Sequence, residues 1–490
     1  MKKLLAFLLA LTMIAIPLAA CDSGDSGKET ENTVTHDPSL PEIPDSLDLS
    51  GDFHILVAGN MERNDFKADE DSSTTVEIAI FRRNEAIRQA YGVNVTNEDI
   101  TEFGSSTGSG KGFNAVYNDY MSGTSTYDAA MIGTYDVATL AYRGLVWDLA
   151  SLPYIDLSKE YWDQKANQDL TISGKMYYTT GDISIVDNIY THALIFNKDI
   201  IENYQLENPY DLVENNEWTL EKFGSLVKQV GQDVDQNGVY NENDMYGLLT
   251  WNDPMLAVLA SSGEKIAEVN ETGEIELTFY NERVVNLYDR FEDIVFDQSH
   301  AYNYQYDNTT GKGTSASVWD TNRDNIFNEN RAAFYFNALS VVERHRDSEV
   351  DFGILPYPKL DASQEEFGHN VSAYHSSFLC VPLMAKDPVR SSAVLEVLAH
   401  YGKQYLTPAY YEKTLYGQYV RDEESTEMLD IIFATRVFDV GIYYDIGTYR
   451  SKLTSLFVSR DSIASMYETN RPSAESKIDE INKEFAKLEY

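Results

Sequence analysis

The chain has 490 residues, 79 of them acidic against 38 basic, a net charge of −41, and a hydrophobic fraction of 43%. A field of that sign repels phosphate, which excludes nucleic acid as a partner and keeps anionic lipid at a distance, while the apolar fraction supports a large core spread over two or three domains. Only Cys21 and Cys380 carry thiols, and Cys380 lies in the apolar run 378–383, so the fold relies on core burial without an internal disulfide.

Lys2 and Lys3 precede an uncharged apolar run from Leu4 to Ala20 that ends in Leu18-Ala19-Ala20-Cys21. The run falls slightly short of the ~20 apolar residues that span a bilayer, and its small-residue end reads as the cleavage site of a secretory signal over residues 1–20. Cys21 follows directly and supplies a thiol that can carry a diacylglycerol thioether, a pattern that resembles a bacterial lipobox. The competing readings are an ordinary signal with an incidental Cys21, and a membrane-spanning anchor. Under the lipobox reading the mature protein is lipid-anchored on the outer face of a cell membrane, of Gram-positive type. Residues 21–50 are polar and rich in Ser, Gly, Asp and Pro, and predict a flexible tether.

Phe53–Val57 predicts a strand that runs into a small-residue turn at Asn60. Val76, Ile80, Ile87 and Tyr91 share one helical face, and Gly92 suits a left-handed stop. Residues 104–112 are Gly- and Ser-rich but match neither a phosphate loop nor a nucleophile elbow in context, and read as a solvated loop. Residues 127–132 predict a buried strand, and the passage 174–198 reads as a long extended crossover. Thr219 caps a helix with Leu220, Phe223, Val227 and Val230 inward. Residues 300–319, dense in Tyr and Asn, predict a loop or edge strand; residues 331–337, 351–358 and 377–383 read as strands. Asp387-Pro388 opens a helix through Tyr401. Ala474, Ile478, Ile481, Phe485 and Leu488 mark an amphipathic helix at the C-terminal end.

Asp233 to Asp244 fits a twelve-residue calcium loop. Asp233, Asp235 and Asn237 supply oxygens at positions one, three and five, Gly238 makes the turn, the Val239 carbonyl is seventh, Asn241 ninth and Asp244 twelfth. Asp in the last place offers less than the usual Glu, and the competing reading is an acidic hydrated turn. Any calcium held there is structural, since a sealed ion leaves no place for substrate. No His-Glu-x-x-His occurs, and with 79 acids a pair at glycosidase spacing carries no information. The 34 Tyr, 21 Phe and 5 Trp are the materials of a core and, on an acidic surface protein, of stacking on sugar faces.

The ordered set of features resembles the family 1 extracellular solute-binding proteins, in a Clostridia-type branch. The residues that carry it are the lipobox, the βα start, Gly174-Lys175-Met176-Tyr177 leading to Phe196-Asn197-Lys198, and 218–223 opening on Trp218-Thr219-Leu220. The Asp/Asn loop running into Tyr246-Gly247-Leu248, and the stretch 351–358, complete it. Residues 372–377 depart from the family pattern in lacking glycines. The resemblance implies an α/β, two-lobed fold of the type II periplasmic-binding-protein kind with hinge crossovers. It implies a monomeric binding protein, not an enzyme, that hands a carbohydrate solute to an ABC-transporter permease. On that scheme 51–185 with 338–402 form one lobe, 186–337 with 403–475 the other, and 476–490 a C-terminal helix. Crossovers are expected at 182–188, 336–338 and 402–405. Ligand-wall candidates are Asn60 and Tyr135 after first-lobe strands, Asn188 at the crossover, Trp251 after a strand, Asn337 at the return, and Tyr374 with His375. Each has a plainer reading as core or turn. A glycan-active enzyme and a surface interaction lipoprotein without a small ligand are the alternative functions.

Cys21→Ala should block lipid transfer and leave an unprocessed precursor on a gel. Processing and fractionation like the wild type would contradict the lipobox reading.

Overall fold

The structure, a computed structural model, describes residues 41–59, 63–102, 108–306, 313, 315–412, 415 and 422–488. All belong to the second of the chain's two units, Pro41–Tyr490. Cys21, the signal segment and Asn60 lie outside the described residues. Of the expected tether, residues 41–50 are described, and Leu49 is buried against the core.

Two sheets organise the chain. The first runs Ser377–Cys380, Ala129–Gly133, Gly51–Ala58, Val93–Ile100, parallel except for its first pair. Its central strand is buried from Ile55 to Ala58, as expected where helices cover both faces of a parallel sheet. The helix Thr75–Tyr91 begins with a capping box between Thr74 and Glu77 and stops at Gly92, whose φ of 69° is cheap for glycine. The second sheet runs Phe352–Leu355, His192–Asn197, Ala332–Ala338, Tyr246–Thr250, Ala301–Asn303. Beneath it Trp218, Phe223, Phe334 and Phe336 form one aromatic block, and the Trp218 indole donates to the Pro356 carbonyl at 2.9 Å. Burying each such ring contributes about 1.5–3 kcal/mol.

The passages between the sheets differ in part from expectation. The first is where the sequence places it, but a short helix, Val186–Ile189, interrupts the expected extended run. The return is not at 336–338, which stays inside the strand Ala332–Ala338. Phe352–Leu355, expected in the first lobe, also pairs in the second sheet, with His192–Asn197. The chain crosses back only at 371–376. It runs beside the first passage there: Thr191 bridges Val371, and Ser372 N–H donates to the Tyr190 carbonyl at 2.9 Å. Periodicity cannot distinguish a strand that ends a lobe from one that stays in it, which is why the return was misplaced by some thirty residues. The expected crossover at 402–405 lies within the helix Pro388–Pro408, and the next helix, Glu423–Ala434, packs on Phe352–Leu355. The C-terminal helix begins at Ile463, not at 476, and buries Ala474, Ile478, Ile481 and Phe485.

Buried ions bolt the first passage. From one side Arg83, fully buried, donates to the Ile183 and Asp65 carbonyls at 3.0 and 2.6 Å, and Asp65 accepts from Ser184 Oγ and Ile185 N–H at 2.7 and 2.8 Å. From the other, Arg436 pairs with Asp187 at 3.0 Å, and also with Asp163 and the Asn188 carboxamide oxygen. Gly402 closes the packing: a Cβ there would meet the Asp182 carbonyl at 2.0 Å.

Burial pushes Asp187 up to about 7 against the pull of Arg436, and Asp182 up to about 6 against its bond from Thr407. Folded-state values above the unfolded 3.8 mean that stabilisation from these protons is complete below about pH 4 and is lost as pH rises to about 7. Asp187→Asn should therefore destabilise less at pH 8 than at pH 5, by on the order of 1 kcal/mol in urea unfolding, the worth of about one pKa unit. An equal penalty at both values would contradict the titration.

Candidate functional site

Where the two passages meet the open ends of the second sheet, aromatic rings gather. Strand His192–Asn197 starts with His192, and strand Tyr246–Thr250 hands on directly to Trp251. Leu249 pairs with Tyr335 in parallel register, so Trp251 and Asn337 each stand two residues beyond the same rung. The Trp251 ring lies near-parallel to His192 and Tyr304, at 6.4 and 6.2 Å between centroids, and tilted to His375 at 6.3 Å. His375 stacks on Tyr190 at 5.0 Å and meets the edge of Tyr374, also at 5.0 Å. Tyr190 and His375 thus join the two passages ring to ring. His192 and Tyr304 are buried; Trp251, His375 and Tyr190 are partly open, and Tyr374 is exposed. Among the described residues the Trp251 indole N–H has no hydrogen-bond partner, although its nitrogen is buried. An unmet buried donor costs about 1–3 kcal/mol, and a ligand oxygen would recover that loss.

Burial holds His192 down to about 3 and His375 down to about 4, so both imidazoles are neutral at physiological pH. Their hydrogen bonds fix them: His192 Nδ1 sits 3.3 Å from the Tyr357 hydroxyl and His375 Nδ1 2.8 Å from Ser372 Oγ. The rings are therefore apolar faces with polar edges.

Beside this cluster stands Asp253, two residues after Trp251. It precedes the helix Pro254–Ser261, and its side chain makes no capping hydrogen bond to that helix. Asp253 keeps part of its surface open, yet its surroundings push it up to about 7 by desolvation. Its charge is felt at the phenols of Tyr135, Tyr304 and Tyr357. Tyr135, buried at the start of helix Thr134–Tyr142, carries the Arg450 guanidinium 3.7 Å above its ring centroid. Desolvation pushes the Tyr135 phenol up to about 12 despite that cation. Arg450 Nη2 lies 3.5 Å from Asp445 Oδ1 in an ion pair, and among the described residues neither that oxygen nor Arg450 Nη1 has a hydrogen-bond partner.

Of the candidates read from sequence, the structure brings Trp251, Tyr374 and His375 together, and Tyr135 shares the field of Asp253. Asn337 lies on the same sheet end, but its amide donates to Tyr335 at 2.7 Å and its oxygen accepts from Ala338 N–H at 2.8 Å. Asn188 is buried with its oxygen held by Arg436, a structural engagement. Sequence reasoning missed His192, Tyr190, Tyr304, Asp253 and Arg450. Trp251-x-Asp253 after a strand was a legible signal; Arg450, distant in sequence, was not.

The Asp233–Asp244 loop folds on its own side chains. Gly238 N–H donates to Asp233 at 2.8 Å, Asn237 N–H to Asp235 at 3.1 Å, and Val239 N–H to Asn237 at 2.7 Å. Asp244, fully buried, accepts from Val234 and Asn241 N–H, both at 2.9 Å, and Asn241 accepts from Asn243 N–H at 2.9 Å. Carboxylate oxygens of Asp233, Asp235 and Asp244 lie within 4.8 Å of one another, and among the described residues Asp233 Oδ1 is buried without a hydrogen-bond partner. Such spacing fits a hard cation. Grooves of about 520 and 420 Å³ lie elsewhere, along the helices Glu282–Val295 and Leu220–Val227, and none of the aromatic cluster lines them.

No protein-family model and no curated protein matches the chain. Solved structures do. The cyclic alpha-maltosyl-1,6-maltose binding protein of Arthrobacter globiformis superposes with a TM-score of 0.57 at 11% identity, covering 88% of this chain and 99% of its own. An ABC substrate-binding protein of Listeria monocytogenes in complex with cycloalternan gives 0.54 at 13%, covering 89% and 99%. A maltose/maltodextrin-binding domain of Bdellovibrio bacteriovorus bound to maltotriose gives 0.54 at 16%, covering 88% and 100%. At these identities the likeness is one of architecture, and the architecture is the two-lobed α/β fold of the periplasmic-binding-protein type.

Proposed function

We propose that this protein is the lipid-anchored, extracellular solute-binding component of an ABC transporter. It captures a carbohydrate between its two sheets and passes it, unreacted, to a permease. The observation that carries the reading is Trp251: a partly open aromatic face with an unpartnered indole N–H, set among His192, Tyr304 and His375 where the two passages run side by side. Sugar rings offer C–H faces to aromatic walls and oxygens to buried donors. Neutral imidazoles suit an uncharged ligand. The carbohydrate complexes among proteins of the same fold support the same reading. Attachment is assigned to a lipid on Cys21, from the apolar run 4–20 and its Ala19-Ala20-Cys21 end; among the described residues no helix is long and apolar enough to cross a membrane. Closure follows from contacts a ligand makes in the closed state alone.

The Asp233–Asp244 loop is assigned a structural calcium ion, bound by Asp233, Asp235, Asn237, Asn241 and Asp244 with the Val239 carbonyl. It stiffens the second sheet's surroundings without touching the solute. Calcium at a hundredfold excess over its dissociation constant should raise stability by about 2.7 kcal/mol. Chelation should lower the melting temperature, and Asp233→Ala with Asp235→Ala should remove the response. Identical melting with and without chelator would leave a hydrated turn.

Calorimetry against maltotriose, maltotetraose, cellotriose, xylotriose and mannotriose tests the main reading. Trp251→Ala should weaken the glycan that binds by ten- to a hundredfold, about 1–3 kcal/mol, with cooperative unfolding retained. Release of shorter products on chromatography would instead favour a glycan-active enzyme. Unchanged affinity in the variant would place the site elsewhere.

A further inference from the structure

Resting on the carbohydrate reading, we propose that the aromatic cluster is a ramp closed at one end, which takes a linear oligosaccharide by a chain end: the terminal sugar residue stops against Trp251 and the rest of the chain leaves over Tyr374. The rings are graded in exposure. Tyr374 is 41% exposed, His375 and Trp251 are partly open, and Tyr304 and His192 are buried. They follow one another in that order, 5.0 Å from Tyr374 to His375, 6.3 Å on to Trp251, and 6.2 and 6.4 Å from Trp251 to Tyr304 and His192. The open end lies on the returning passage. The closed end lies against the second sheet, where His192 begins one strand and Tyr304 follows another.

Packing and hydrogen bonds beyond Trp251 close that end. Tyr304 meets the buried Tyr335 edge to face at 6.2 Å, and the Arg323 guanidinium lies 5.6 Å from the Tyr304 ring centroid. His192 is backed by Tyr357, again edge to face, at 6.1 Å. The segment that carries Tyr304 is tied to the residue after Trp251: Asn252 N–H donates to Gln305 Oε1 at 2.9 Å, the Asn252 amide donates to the Tyr306 hydroxyl at 3.0 Å, and the Asn303 amide donates to Asn252 Oδ1 at 3.3 Å. An inner residue of a polysaccharide, or any residue of a cyclic glycan, has a neighbour on both sides, and one of the two would have to enter this packed wall. A terminal residue has one neighbour. Its C–H face can lie on Trp251 while one of its oxygens takes the indole N–H, which has no partner among the described residues. At the other end one face of His375 is covered by Tyr190, stacked at 5.0 Å, whereas Tyr374 meets His375 by an edge contact at 74°. That leaves the faces of Tyr374 to a sugar residue further along the chain.

Calorimetry tests this with three forms of each of maltotriose, cellotriose, xylotriose and mannotriose: the free sugar, its 4-nitrophenyl glycoside, which is blocked at the reducing end, and its benzyl ether on the non-reducing terminal residue. For a free trisaccharide that binds, one blocked form should be held at least as well and the other should lose at least tenfold. Tyr374→Ala, a change at an exposed side chain, should keep the melting temperature and cost the free trisaccharide at least threefold. Both blocked forms held like the free sugar, or both lost, overturn the inference, as does a trisaccharide indifferent to Tyr374→Ala. The carbohydrate reading then still stands if the free trisaccharide binds and Trp251→Ala weakens it. No binding by any trisaccharide overturns both.

Discussion

The pairing of the two passages is the constraint on which the rest depends. Thr191 against Val371, and Ser372 donating to the Tyr190 carbonyl, lay the outgoing and returning chain side by side. A third segment joins them, since Arg436 and Val437 pair with His369 and Asn370. Arg436 locks that segment to the first passage through Asp163, Asp187 and Asn188. Breaking a buried, hydrogen-bonded ion cluster by removing one member leaves an uncompensated charge, at a cost of about 3–5 kcal/mol. The passages are therefore fixed where they touch.

What they fix is the site. Tyr190 on the outgoing passage and His375 on the return are stacked, and Trp251, His192 and Tyr304 attach to that stack from the second sheet. From the first sheet, Thr134 donates to the Ala373 carbonyl at 2.5 Å, so the loop that carries Tyr374 and His375 is held to the residue before Tyr135. Groups from both sheets are thus referenced to one backbone frame. This is the condition for side chains far apart in sequence to keep a common geometry.

Much of the fold was legible because it rests on local physics. The capping of Thr75–Tyr91 by Thr74 and Gly92, the helix after Thr219 and the apolar stripe ending at Phe485 follow from periodicity and caps alone. The lobe boundary at the return was not, because Phe352–Leu355 looks the same as a strand whichever sheet it joins. In the site, Trp251, Tyr374 and His375 were found by asking which residues follow strand ends. That rule put Asn337 and Asn188 on the same footing, although their polar atoms are spent on Tyr335, Ala338 and Arg436. Arg450 escaped because its place over the Tyr135 ring joins residues far apart in sequence, which only three dimensions reveal.

The central claim, that a neutral carbohydrate is held at the junction of the paired passages, is tested most directly by hydrogen–deuterium exchange with and without the tightest-binding neutral trisaccharide. The account predicts added protection at 190–192, 251–254 and 371–376 together, with none at the Asp233–Asp244 loop. Protection confined to one sheet, or centred on the acidic groove along Glu282–Val295, would contradict it.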